Sequence, residues 1–337
     1  MNIGFMLHER FEEAYRFIAL ARAELRRLGN RPLLEARLSS AEGIVFSSER
    51  RFEEAARSHR RALELLERSK PDALDVALEL NRLALAQLSL EDYAGALASL
   101  ERAEQINRRE LGEHERVYMT RNNIGMVLRW LGREDEALEA YREAAEGTER
   151  LLGAEHPSYA KVIHNAAVSW REKGRCDLAR AQFERVLAIR ERAFGSDSPL
   201  VAYVLEELAR CDVQEGRARD AISRVERAQR IGASKPLSPL RDGQLLTSLG
   251  EALILLGERQ RGVLELERAL ARIGEGGDVY TREARGTTSW ALARAIARQD
   301  AARATALARE ARGLYESVGP RYRREVAEID AWLASSR

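Results

Sequence analysis

The chain has 337 residues, roughly two average domains on length alone, with 55 Lys and Arg against 54 Asp and Glu and a formal net charge of +1. That balance excludes reliance on a basic phosphate-binding field, so no nucleic-acid partner is expected, and it excludes an acidic disordered tail. Apolar stretches such as Ala252–Leu256 are far too short to span a bilayer, the N-terminal segment lacks a signal pattern, and two Cys form no disulfide framework, so a cytoplasmic protein without membrane insertion is expected.

Ala, Leu, Glu and Arg dominate, and Thr occurs only seven times, which favours helix. The predicted elements begin with a helix near 10–28. Pairs follow near 33–47 and 52–69, 74–90 and 93–111, 115–131 and 134–152, 158–173 and 176–194, 200–215 and 218–231, 240–256 and 260–273, and 279–297 and 301–317. A last helix near 321–334 carries Tyr322, Val326, Ile329 and Leu333 at helical spacing and is expected to cover the end of the stack. Only Met1 to Glu9, with Gly4 among them, precede the first helix. A full partner helix is not expected there: either the first unit is incomplete or the chain was cut from a longer one.

An internal repeat sets these boundaries. Anchors fall at Ala14, Ala55, Ala96, Ala137, Ala179, Ala221, Gly262 and Ala304, in steps of 41, 41, 41, 42, 42, 41 and 42. Seven residues on stand Ala21, Ala62, Ala103, Ala144, Val186, Ala228, Ala269 and Ala311. Four residues on stand Ile18, His59, Leu100, Tyr141, Phe183, Val225, Leu266 and Ala308. These three positions share one helix face. The small residues let a second helix approach, and the residue between them fills the gap. Twelve before the anchor a small residue recurs as Gly43, Ala84, Gly125, Ala167, Ala209 and Gly250. Each unit therefore holds two helices touching through small residues. Gly132, Gly174, Gly216 and Gly257 mark the turns between them, and Pro32, Pro71, Pro157, Pro199, Pro236, Pro239 and Pro320 all fall at junctions.

At Glu136-Ala137-Leu138-Glu139-Ala140-Tyr141, and at the junctions Leu151–Pro157 and Ala193–Pro199, the sequence resembles tetratricopeptide repeats of the 42-residue kinesin-light-chain type. Asn122-Asn123-Ile124-Gly125 and His164-Asn165-Ala166-Ala167 resemble the Asn-rich first helix of that type. The resemblance runs from about residue 10 to 317 and implies an all-α, right-handed solenoid of about eight antiparallel helix pairs with a C-terminal capping helix. One solenoid over 1–337 is expected, with units near 1–30 (partial), 31–71, 72–113, 114–156, 157–198, 199–239, 240–278 and 279–318, and the cap at 319–337. It further implies that first helices line a concave groove for a peptide or partner protein. Asn123 and Asn165 match the Asn position of the carboxylate clamp found in short-repeat members, and Lys161 matches a Lys position. Met126 and Leu85 stand where that clamp needs polar groups, so a strict reader of C-terminal carboxylates is not expected.

The groove candidates are Asn122, Asn123, Met126, Arg129 and Trp130; Lys161, His164, Asn165, Val168 and Arg171; and Tyr203, Glu206 and Arg210. Arg129, Arg171 and Arg210 fall near one groove height. They either present a guanidinium ladder to an acidic peptide or pair with Glu on neighbouring helices. Trp130 is a groove anchor or inter-repeat packing; Trp170 and Trp332 are read as packing residues. Cys176 and Cys211 are read as two buried free thiols, and His59 as a packed core imidazole. No phosphate loop, nucleophile elbow or metal-ligand spacing appears, so no enzyme, cofactor or metal is expected. The function expected is a protein-interaction scaffold. The alternatives are a regulatory region of a larger bacterial signalling enzyme, such as a kinase, NTPase or protease, and a self-associating structural element forming homo-oligomers.

Overall fold

The computed structural model describes residues 3–29, 31–69 and 73–335. The chain is 86% helical, and no strand occurs among the described residues. Contacts divide it into two compact units, residues 1–127 and 128–337.

The first unit holds α1 (Ile3–Leu28), α2 (Pro32–Ser48), α3 (Phe52–Arg68), α4 (Ala73–Ser89), α5 (Tyr93–Leu111) and most of α6 (Glu115–Trp130). Helices α1 to α5 pack consecutively, and α2 also meets α4. Residues from Ile3 onward belong to α1, so the stretch expected to lie ahead of the first helix extends it. No described helix precedes α1. Correspondingly Ala21, Phe17 and Leu20, at or beside positions that are enclosed in later units, are exposed.

The second unit holds α7 (Glu134–Leu152), α8 (Pro157–Glu172), α9 (Cys176–Phe194), α10 (Pro199–Gln214), α11 (Ala218–Ser234), α12 (Pro239–Leu255), α13 (Arg259–Ile273), α14 (Val279–Ile296), α15 (Ala301–Val318) and α16 (Arg323–Ser335). It also includes the last turn of α6, and a single 3-10 turn, Pro320–Tyr322, precedes α16. Consecutive helices from α7 to α16 pack on one another. The first helices α8, α10, α12 and α14 also touch in succession, which places them on the inside of the curve.

The repeat explains the packing. Ala55, Ala96, Ala137, Ala179, Ala221 and Ala304 are completely buried, as are Leu100, Tyr141, Phe183, Val225 and Leu266 four residues on. A Cβ at Gly250 would lie 2.9 Å from the Gly262 carbonyl oxygen, and one at Gly262 would lie 2.6 Å from that of Gly250. Only hydrogen at both positions lets α12 and α13 cross this closely.

The turns repeat one device. Gly174 has φ +75°, its N–H donates to the Arg171 carbonyl at 2.8 Å, and the Arg175 N–H donates to that of Trp170 at 2.9 Å. This double closure needs the left-handed region, which glycine enters freely. Arg50 and Glu91 hold the same register and the same conformation, with φ +63° each. Pro32, Pro157, Pro199 and Pro239 sit in the first turns of their helices, where a missing N–H costs nothing. Pro71 lies outside the described residues.

Candidate functional site

The predicted groove residues divide between the two units. In the first, Asn122 is buried and its amide donates to the Asn123 Oδ1 at 3.3 Å, while Asn123 and Met126 are half-buried. In the second, Lys161 is exposed and His164, Asn165, Val168, Tyr203 and Arg210 are half-buried on α8 and α10. Arg171 and Glu206 are buried.

Of the two readings of Arg129, Arg171 and Arg210, a ladder for an acidic peptide or pairing with neighbouring Glu, the structure has the second: all three lie against carboxylates of the chain itself. Arg129 Nη1 donates to both oxygens of Glu172, at 2.8 and 3.0 Å. Arg171 Nε donates to Glu207 Oε2 at 2.7 Å, and its Nη2 stands 3.5 Å from Glu172. Arg210 Nη1 lies 3.6 Å from Glu206 and 3.8 Å from Glu207. Arg241, which Glu206 accepts at 2.8 Å, extends the series onto α12 and lies over the Tyr203 ring. The outcome is an alternating row of charges across the inner face of the second unit.

Protonation follows from this row. Burial raises the Glu172 carboxyl, but Arg129, Arg321 and Arg171 outweigh it and hold it at about 2. Burial likewise acts on Glu207, and Arg171 and Arg210 bring it to about 2. Glu206 goes the other way: burial and the neighbouring Glu207 raise it against the pull of Arg241. Burial pushes the His164 imidazole down to about 3, with Arg190 adding to the effect. Its Nδ1 is buried without a hydrogen bond, and the ring meets Phe183 edge-on at 5.6 Å. His164 is therefore a neutral packing group.

Trp130 is 1% exposed and packs within the second unit. Tyr280 meets it edge-on at 5.3 Å, and the Arg321 guanidinium lies 4.2 Å above its ring. Trp170 borders the core around Phe183, and Trp332 meets Trp290 at 5.5 Å. Cys176 and Cys211 are buried free thiols, and Cys176 Sγ donates to the Gln214 Oε1 at 2.9 Å. In the first unit His59 is buried against Gly43, with Nδ1 2.5 Å from Glu79 Oε1. No described helix is long and apolar enough to cross a membrane.

Sequence reasoning missed Glu172, Glu207, Arg241, Arg321 and Glu283, whose Oε1 lies 3.5 Å from Arg321 Nη2. A signal existed for the first two, since each adjoins a singled-out residue. Arg321 lies beyond the last repeat and carried none.

Models of the tetratricopeptide repeat match residues 119–158 and 164–233. Those two segments are tetratricopeptide repeats. Solved structures with related repeats agree. BtubC (BKLC) from P. vanneervenii is 25% identical, with a TM-score of 0.56 over 68% of this chain and 91% of its own. A putative kinesin light chain from Podosopora anserina with nearly identical repeats is 20% identical, with a TM-score of 0.50 over 62% and 100%. The Rap conjugation gene regulator of the plasmid pLS20, solved in complex with the Phr* peptide, is 14% identical. Its TM-score is 0.68 over 88% of this chain and 77% of its own, which places it in the same fold. No curated protein matches the chain in sequence.

Proposed function

We propose that the chain is a non-enzymatic scaffold that binds a peptide or partner protein on the inner face of its second unit. The observation that carries this reading is the succession of touching first helices α8, α10, α12 and α14, whose polar side chains are held in place by the Arg–Glu row. A rigid, pre-paired surface loses little side-chain entropy on binding. The fold supports the same reading, since the pLS20 regulator was solved with a peptide. Because Arg129, Arg171 and Arg210 are already paired, side-chain hydrogen bonding and shape supply recognition here rather than a free cationic ladder.

The test is a random linear peptide library displayed against the folded protein. Recovered peptides are expected to lose affinity for a Lys161→Glu, Asn165→Ala double variant with unchanged helical content. Unchanged affinity removes the inner face as the binding surface, and recovery of no peptide removes the reading.

A further inference from the structure

One side chain on the inner face arrives from outside the repeats. Arg321 belongs to the 3-10 turn between α15 and α16, yet its side chain is only 4% exposed. Its guanidinium stacks 4.2 Å above the Trp130 ring, and Nη2 reaches Glu172 Oε1 at 2.7 Å and Glu283 Oε1 at 3.5 Å. Trp130 and Glu172 are the last residues of α6 and α8. Glu283 and Tyr280, which props Trp130 edge-on, come from the first turns of α14. The walls are an aromatic face and carboxylates, which suits a planar, weakly hydrated guanidinium better than a compact ammonium.

Two details distinguish this arrangement from an ordinary buried salt bridge. Glu172 keeps Arg129 at 2.8 Å and Arg171 at 3.5 Å, so withdrawal of Arg321 leaves Glu172 paired. Arg321 Nη1 is buried without a hydrogen-bond partner, so the resident side chain fits its cage imperfectly. The turn also follows Gly319, at φ +120° with open space around it, and its backbone passes Gly132, where a Cβ would come within 3.5 Å of the Arg321 nitrogen.

We propose that Trp130, Tyr280, Glu172 and Glu283 form a subsite for an arginine side chain of a partner segment, and that Arg321 fills it in cis until the partner displaces it. This rests on the reading of the inner face as a partner-binding surface and names the chemistry of one subsite. The ligand class is a peptide presenting an exposed arginine.

The probe is a fluorescent, end-blocked peptide of residues 317–322, measured by anisotropy against the full chain. A short tether holds Arg321 at an effective concentration on the order of millimolar, so Arg321→Ala is expected to bind the probe at least about tenfold more tightly than the native chain. Adding Glu172→Gln to that variant, or replacing arginine by alanine in the probe, is expected to abolish the gain. Equal affinity for native and Arg321→Ala chains, or no binding to a folded Arg321→Ala chain, overturns the proposal. Arg321→Lys serves if the alanine variant does not fold, with a smaller gain expected; failure of both to fold makes Arg321 a structural residue and also overturns it. If library peptides still depend on Lys161 and Asn165 while Arg321→Ala changes nothing, the cage alone falls. If no peptide binds any form, the functional reading falls.

Discussion

Replacing Gly262 by alanine sets two effects against each other. Every other anchor in the repeat is alanine, and in a helix interior alanine is favoured over glycine by about 0.5–1 kcal/mol. Repeat logic alone therefore expects stabilisation. The structure places the new Cβ 2.6 Å from the Gly250 carbonyl oxygen and 3.2 Å from the Ile254 nitrogen. Both are backbone atoms, so no rotamer change relieves the clash and α12 must move off α13. Overpacking of this kind costs about 1–3 kcal/mol. The expected net effect is a loss of roughly 1 kcal/mol, or a midpoint about 2–4 °C lower for a unit of this size. Thermal unfolding by circular dichroism measures it, and amide exchange shows whether the loss is local to α12 and α13, since repeat arrays open in parts. Gly313→Ala is the control: that glycine lies exposed in α15 with nothing within 4 Å of a built Cβ, and it is expected to stabilise. A Gly262→Ala midpoint at or above native, in parallel with Gly313→Ala, refutes the reasoning.

Gly216 turns at φ +73° with open space around it, so Gly216→Ala is expected to cost about 1 kcal/mol through backbone strain alone. Chemical denaturation measures this, with Gly216→Asn expected to cost less. His164 gives a pH dependence. Its folded value near 3 lies below the ordinary 6.5, so the folded state binds fewer protons than the unfolded one. The stability it preserves is fully present above 6.5 and declines as pH falls from there towards 3. His164→Phe is expected to flatten the stability profile between about pH 7 and 5.5, above the carboxylate range; an unchanged slope there would show that the imidazole is solvated.

Much of the fold was legible because one geometric requirement recurs. Two helices that cross through small residues must place them at a fixed interval, and that interval leaves its mark on the sequence. Helix α7 runs over Glu134–Leu152, within the span the repeat predicts, and Ala137 is fully buried. The pattern weakens where packing is missing: α1 echoes the register, but no described helix covers the face that carries Ala21. It also conceals exceptions. Arg50 and Glu91 take the turn conformation that glycine fills elsewhere, so the missing glycine did not mean a missing turn. Residue spacing pairs Gly262 with Gly250, twelve positions before it, but it does not reveal that the two backbones come too close for a Cβ.

The inner face was harder to read, because charge partners there are set by neighbouring units rather than by neighbours in sequence. Arg129 meets Glu172 across 43 residues, Arg171 meets Glu207 across 36, and Arg321 meets Glu172 across 149. A period near 42 anticipates the first separation, since a cation near the end of one first helix falls beside a carboxylate of the next, whereas the second is six residues shorter than the period. No period anticipates the third, which depends on the chain turning back after its last repeat. Removing one member of such a row ordinarily leaves a buried charge uncompensated, at about 3–5 kcal/mol. Glu172 escapes that penalty when Arg321 leaves, because Arg129 and Arg171 remain beside it. The proposed exchange of Arg321 relies on that redundancy around Glu172.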